Sequence, residues 1–378
     1  MIGITDVQDP KRADWTLSLG IQSFSTDLFM GILPSSVYKR VHEGLNYRLR
    51  TFVGGRWAAR CRPVTIVFLL TERCNARCVH CDIWKNRGPE DSPPLEMLKA
   101  TLRELRDWLG PVQVTFSGGE ALLKPYTTEL VKFGSDIGLL MEVLTHGYWE
   151  DQSRIEALAL ARPWRVTVSF DGLDGVHSKI RGRDDFFEKT SRSIETLRAI
   201  RKQNRLQFPI LLKTVIMQHN LADVCKVADF AAEHELEVLY QPIEQNYNTN
   251  EDPDWFAHSE NWPKDPEQAA AVVSQLIAMK RAGKPIMNSL EQLKVMMDYF
   301  RSPADLRVAI QNHTAHERRA TCSALTNLQI QANGDVTLCP SIPSVGNIKE
   351  SSIRVIWKNR PHLWEQGCCL DWRTSPPV

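Results

Sequence analysis

Three cysteines, Cys74, Cys78 and Cys81, fall within Thr71-Glu-Arg-Cys-Asn-Ala-Arg-Cys-Val-His-Cys-Asp-Ile-Trp84, directly after an apolar run. The spacing puts three thiolates on one short loop, where each can reach a different iron of a cubane iron-sulfur cluster. A cubane held at three corners keeps its fourth iron open, so the loop implies reactivity and not only structure. The competing reading is structural zinc, a common role for clustered cysteines in a reducing compartment, with four ligands closing a tetrahedron. His80 is the fourth ligand on offer. Lying between Cys78 and Cys81, it has trouble turning back onto the same metal.

Two further stretches carry groups that suit a charged ligand. Ser117-Gly118-Gly119-Glu120 follows a second apolar run; the glycines let backbone come close to a ligand, and Glu120 offers an acceptor to an ammonium group. Alone, such a triplet fits any tight turn. A fourth β-like run ends in Ser169-Phe-Asp-Gly, with Arg181 following in Lys-Ile-Arg-Gly. An Arg near the end of a parallel strand can fork a carboxylate, although a surface Arg is the bland alternative.

Cys74-x3-Cys78-x2-Cys81 after a first strand, with Gly118-Gly119-Glu120 after a second, resembles the radical SAM superfamily. The resemblance implies that the three cysteines hold a 4Fe-4S cluster whose open iron is chelated by the amino and carboxylate groups of S-adenosylmethionine. Reduction then yields a 5'-deoxyadenosyl radical that abstracts a hydrogen atom from a substrate. It further implies that Glu120 and the glycine backbone hold the methionyl amine, that Ser169 and Arg181 contact its carboxylate, and that the backbone of His80 lies by the adenine. Gln241, at the end of a sixth strand, is a further contact candidate, and a reductant such as flavodoxin or ferredoxin is implied as partner.

The other cysteines are unevenly placed. The chain has nine in all, an odd number, and Cys322, Cys339, Cys368 and Cys369 cluster near its end, which is no secreted disulfide framework. Cys225 reads as a small core residue, and Cys61 falls outside both groups. Asn333-Gly334 between two β-like runs reads as a hairpin turn, which can present Cys322 and Cys339 to one cluster. This segment resembles the SPASM/twitch extension of the same superfamily, implying one auxiliary 4Fe-4S cluster. Cys368 and Cys369 are adjacent, and neighbouring side chains point apart in extended backbone, so either or both can be its last ligand.

These groups need a frame. Short β-rich runs at Val64–Leu70, Val112–Phe116, Glu142–Thr145, Val166–Phe170, Ile210–Ile216 and Val238–Gln241 alternate with amphipathic stretches at Leu95–Leu109, Thr127–Asp136, Ser153–Ala161, Phe187–Gln203 and Ala222–Glu235. Strict alternation predicts an α/β fold with a parallel sheet and right-handed crossovers. Ligands then bind at the carboxyl ends of the strands, where the cysteine and Gly-Gly-Glu loops lie. Six units are too few for a closed barrel, and the resemblance supplies an open (β/α)6 partial TIM barrel. The expected division is 1–62 as an N-terminal extension, 63–243 as the core, 244–320 as a lid loop with linking helices, and 321–378 as the auxiliary-cluster domain. The polar, aromatic loop 243–265 is expected to line or cover the substrate opening, with a plain surface connection nearly as good a reading.

Composition narrows the partners. With 43% apolar residues and a net charge of +1, the chain can bury a large core and lacks the basic excess of a nucleic-acid binder. It shows no signal peptide and no apolar run of membrane-spanning length, so a cytoplasmic location is the expectation. Phe24, Leu28, Phe29, Ile32 and Leu33 precede a run rich in Arg and Lys. That pattern suits a helix packed on the barrel, with peripheral contact to an anionic membrane as the alternative. The first sixty residues look too short for a peptide-binding winged helix, so the sequence favours a small-molecule or lipid substrate over a ribosomally made peptide. A zinc-stabilised or catalytically dead binding protein on the same scaffold is the reading from another class.

Overall fold

The computed structural model describes residues 35–51, 60–250, 252–305, 322–339 and 342–361, all within one compact unit. Strands β1 (Thr65–Leu69), β2 (Gln113–Ser117), β3 (Leu140–Thr145), β4 (Arg165–Ser169), β5 (Ile210–Ile216) and β6 (Glu237–Pro242) lie side by side in chain order. Every neighbouring pair among them is parallel. A helix precedes the sheet, α1 (Ser35–Thr51). The crossovers are α2 (Leu95–Leu109), α3 (Thr127–Asp136), α4 (Ser153–Leu160), α5 (Asp174–Arg181) with α6 (Phe186–Gln203), and α7 (Val224–Glu233). This is the expected α/β partial barrel, and most element bounds agree with the sequence pattern to within two residues.

Alternation explains why each strand faces as it does. Ile66 and Phe68 of β1 are buried and register with Val114 and Phe116 of β2. The Phe68 and Phe116 rings meet edge to face at 5.6 Å. Intervening side chains point the other way, and there the sheet carries polar groups. Glu142 of β3, 4% exposed, accepts hydrogen bonds from Gln113, Thr115, Arg165 and Thr167. A buried carboxylate is tolerated only when so fully partnered.

Two features were not expected. Arg181 ends a distinct helix, α5, where the sequence showed only a glycine-rich strand exit. The C-terminal hairpin also extends the sheet: β7 (Asn327–Ile330) pairs parallel with β1, and β8 (Asp335–Thr337) and β9 (Gly346–Asn347) follow antiparallel, so nine strands form one sheet. Gly334, at φ +91°, makes the expected turn between β7 and β8. A four-residue helix at Trp255–His258 is followed by the longer α8 (Pro266–Arg281), α9 (Leu290–Arg301) and α10 (Ile353–Asn359). Among the described residues, no helix is long and apolar enough to cross a membrane.

Candidate active site

The cysteine loop leaves β1 at its carboxyl end and is held by loops that leave β2, β4 and β6. From β2, the Gly119 N–H donates to the Thr71 carbonyl (2.7 Å) and the Glu120 N–H to that of Arg73 (2.8 Å). This contact explains the glycines: a Cβ on Gly118 would lie 2.3 Å from the Thr71 oxygen, and one on Gly119 2.2 Å from that of Arg73. The pair serves first to let two loops meet backbone to backbone. Glu90 fastens the loop's entry, accepting from the Thr71 hydroxyl and the Glu72 N–H, both at 2.6 Å, and pairing with Lys124 at 2.9 Å.

The β4 exit holds the loop's middle. The Arg77 and Val79 N–H groups, on either side of Cys78, donate to the last carbonyls of α5, those of Arg181 and Ile180, both at 3.0 Å. The helix ends at Gly182 in the left-handed region, φ +77°, where a Cβ would lie 2.3 Å from the Arg77 carbonyl. Loop 243–265 fastens the far side. Asn246 and Asn261 donate to the Val79 carbonyl at 3.2 and 3.0 Å, and the Tyr247 carbonyl accepts from the Asp82 N–H at 3.0 Å. Trp262 is buried against Tyr299 and Phe300, so this loop is anchored by aromatic packing and tied to the cysteine loop.

Within that frame the chemistry-bearing side chains are close-set. Glu120 is 1% exposed and accepts from the His146 N–H (2.9 Å) and the Leu122 N–H (3.1 Å). Burial pushes its carboxyl up to about 7 against the pull of those amides. The Tyr148 N–H donates to His146 Nδ1 (2.9 Å), so Nε2 carries the proton and donates to Asn75 Oδ1 at 2.7 Å, with Glu120 at 3.3 Å. His146 thereby joins the Gly-Gly-Glu turn to the cysteine loop, and burial, with nearby cations, lowers it to about 3.

Arg181 lies under the loop. Its Nη2 is 2.6 Å from Asp171 Oδ2, and its Nη1 donates to Cys78 Sγ at 3.5 Å. Asp171 is fully buried, and its other oxygen accepts from the Val215 N–H at 3.0 Å. Burial favours the neutral acid, yet Arg181, His80 and His177 together hold Asp171 below the usual carboxylate range. Ser169 closes β4 in register with Lys213 of β5, and Gln241 of β6 sits beside Val215.

The donor set itself bears on a cluster and an amino-acid-bearing cofactor at this site. Cys74, Cys78 and Cys81 are unpaired thiols, none fully buried. Burial raises all three, Cys74 to about 12, so they are poor free nucleophiles and need a metal to hold them as thiolates. His80 Nδ1, His177 Nε2 and Arg181 Nε are buried without a hydrogen-bond partner, an arrangement that natural sites rarely leave unexplained. They fit. Cys322 and Cys339 are buried just before β7 and just past β8, at the same end of the hairpin. Cys368 and Cys369 lie outside the described residues, as does the apolar segment from Phe24 to Leu33.

Sequence reasoning missed Glu90, Asn75, His146 and the pairing of Asp171 with Arg181. Asp171 and Asn75 stand within the quoted strand exit and cysteine loop, whereas Glu90 and His146 are ordinary polar residues until the fold brings them to that loop.

Comparison with known proteins agrees with this geometry. A family model described as the radical SAM superfamily matches residues 68–231, and one described as an iron-sulfur cluster-binding domain, SPASM, matches 322–372. The AdoMet-dependent heme synthase of Methanosarcina barkeri is 26% identical over 308 residues, covering 79% of this chain and 82% of that protein. The PqqA peptide cyclase of Bradyrhizobium diazoefficiens is 28% identical over 162 residues, covering 42% of this chain and 40% of the cyclase. Among solved structures, Streptococcus suis SuiB bound to S-adenosylmethionine superposes with a TM-score of 0.56 at 16% identity. That match covers 79% of this chain and 66% of SuiB, so the chain spans less than two thirds of SuiB and well under half of the cyclase.

Proposed function

We propose, for a chain that belongs to the radical SAM superfamily and carries a SPASM segment, that hydrogen abstraction from a substrate begins at the Cys74-Cys78-Cys81 loop. The protein is a radical SAM enzyme whose cofactors are a 4Fe-4S cluster, an auxiliary iron-sulfur cluster and S-adenosylmethionine. Cys74, Cys78 and Cys81 would hold the cluster, which when bound would supply one-electron reduction of the sulfonium of S-adenosylmethionine. The residues then have orienting work. Glu120 receives the methionyl ammonium, whose positive charge favours the carboxylate form that burial opposes. Ser169 and Arg181 take the carboxylate, with Arg181 Nε as the donor left over from its other two contacts. His80 and Gln241 flank the remainder. Cys322, Cys339 and one or both of Cys368 and Cys369 hold the auxiliary cluster.

The observation that carries this reading is the strapping of one three-cysteine loop against Gly118, Gly119 and the α5 carboxyl end. Anaerobic protein incubated with dithionite and S-adenosylmethionine is expected to form 5'-deoxyadenosine, and C78A to form none; a wild-type protein that forms none would sink the proposal.

For the substrate, a ribosomally made peptide or protein is the class we favour over the small molecule or lipid that the sequence suggests. The sequence suggestion rests on the first sixty residues, of which 1–34 and 52–59 lie outside the described structure. The similarity to the PqqA peptide cyclase supports the peptide class. A small-molecule reading of tetrapyrrole type has its own support, because the similarity to the heme synthase runs over most of both chains. Deuterium transfer into 5'-deoxyadenosine from labelled precursor peptides or from labelled tetrapyrroles separates the two.

A further inference from the structure

We propose that Asp171 and Arg181 form a charge relay to the Cys78 sulfur that sets how readily the cluster on this loop is reduced. The inference rests on the reading that Cys74, Cys78 and Cys81 hold a cluster, and concerns a role of Arg181 separate from contact with the cofactor carboxylate.

The geometry gives Arg181 little freedom. Its backbone carbonyl receives the Arg77 N–H, and Gly182 beyond it is pressed against the Arg77 carbonyl. The guanidinium is therefore delivered to Cys78 by the same contact that positions the cysteine. Its Nη1 donates to Cys78 Sγ at 3.5 Å and its Nη2 meets Asp171 at 2.6 Å. Asp171 is itself immobile, being fully buried and anchored by the Val215 N–H. The cation and its counter-ion are thus fixed beside the sulfur and largely shielded from water, where charges act strongly on one another.

Reduction adds one negative charge to a cluster, and hydrogen bonds and charges near its sulfurs tune its potential. A guanidinium at the sulfur favours the reduced form. A carboxylate behind the guanidinium offsets part of that effect. The two residues therefore act with opposite sign, which a merely structural pair would not do.

Full-length protein is reconstituted anaerobically and its cluster potentials are measured by EPR-monitored potentiometry without S-adenosylmethionine. R181Q is expected to make the loop cluster harder to reduce by tenfold or more, about 59 mV for one electron. D171N is expected to shift it the other way. The auxiliary cluster, measured in the same samples, should stay in place. Shifts of the same sign, no shift in either variant, or an equal shift in the auxiliary signal overturns the proposal. If R181Q holds no cluster, D171N decides: easier reduction supports the relay, and no change or harder reduction overturns it. Failure of the underlying reading looks different, since wild-type protein would then lose no iron on C78A substitution.

Discussion

Glu120 is a carboxylate kept where water does not reach, and its worth depends on pH. Its folded value, about 7, lies above the ordinary 4.5. A raised folded pKa means that the retained proton stabilises the iron-free fold fully below about 4.5, and that this contribution is lost as pH rises through about 7. Glutamine mimics the protonated form. E120Q should therefore gain on wild type between pH 5 and 8, by up to about 3 kcal/mol, in urea unfolding of the iron-free protein, while losing reductive cleavage of S-adenosylmethionine. A flat difference across that range would show that Glu120 is not titrating. His146 and His177, both lowered to about 3 by burial, give the opposite limb. Their depressed values stabilise the fold above about 6.5, and that contribution fades as pH falls toward 3. Thermal melts of iron-free protein should show this acid decline, and H146N should shallow it. Activity and stability pull apart at Glu120, as sites that bind charge in a dry setting commonly require.

At the scale of elements, α5 fixes the middle of the cysteine loop, and the glycine within it and the glycine that caps it test that. Gly175, in the first turn of α5, has nothing within 4 Å of where an added methyl group would sit, whereas Gly182 has a positive φ and the Arg77 carbonyl at 2.3 Å. G175A should stabilise the protein by roughly 0.5–1 kcal/mol. G182A should cost about 1–3 kcal/mol through strain and overpacking, and should reduce iron retained per chain because the collision falls beside Cys78. Denaturation and iron assays on both variants check this; equal effects would remove α5 from the account. The helix also shows what the sequence could and could not disclose. Strands and crossover helices were legible because periods of two and 3.6 are local properties. The stretch Asp171-Gly-Leu-Asp-Gly was not, since its turn-forming residues conceal a helix that tertiary contacts hold at both ends. The cysteine and Gly-Gly-Glu loops were legible by type and spacing. The reason for the glycines was not, because it lies in a carbonyl some 45 residues upstream. Pairing of β7 with β1 joins residues more than 250 apart, a contact that no local pattern encodes.

The whole sheet decides how the two cysteine groups stand to one another. Cys74, Cys78 and Cys81 follow the carboxyl end of β1. Because β7 runs parallel to β1, with Thr65 opposite Asn327, Cys322 precedes the amino end of that same strand pair, and the antiparallel β8 returns Cys339 to that end. The length of β1, at about 3.3 Å per residue, sets the two groups on the order of 16 Å apart or more. Substrates of parallel sheets bind at carboxyl strand ends, so this layout favours an auxiliary cluster that relays an electron over one that grips the substrate. The prediction is a separable loss. C339A should give up about half of the iron and still cleave S-adenosylmethionine to 5'-deoxyadenosine without substrate, whereas C78A should keep the auxiliary signal and cleave nothing. Should C339A hold the loop cluster and yet fail to form 5'-deoxyadenosine, the auxiliary cysteines would have to act at the carboxyl end of the sheet, against the register that places them at the other.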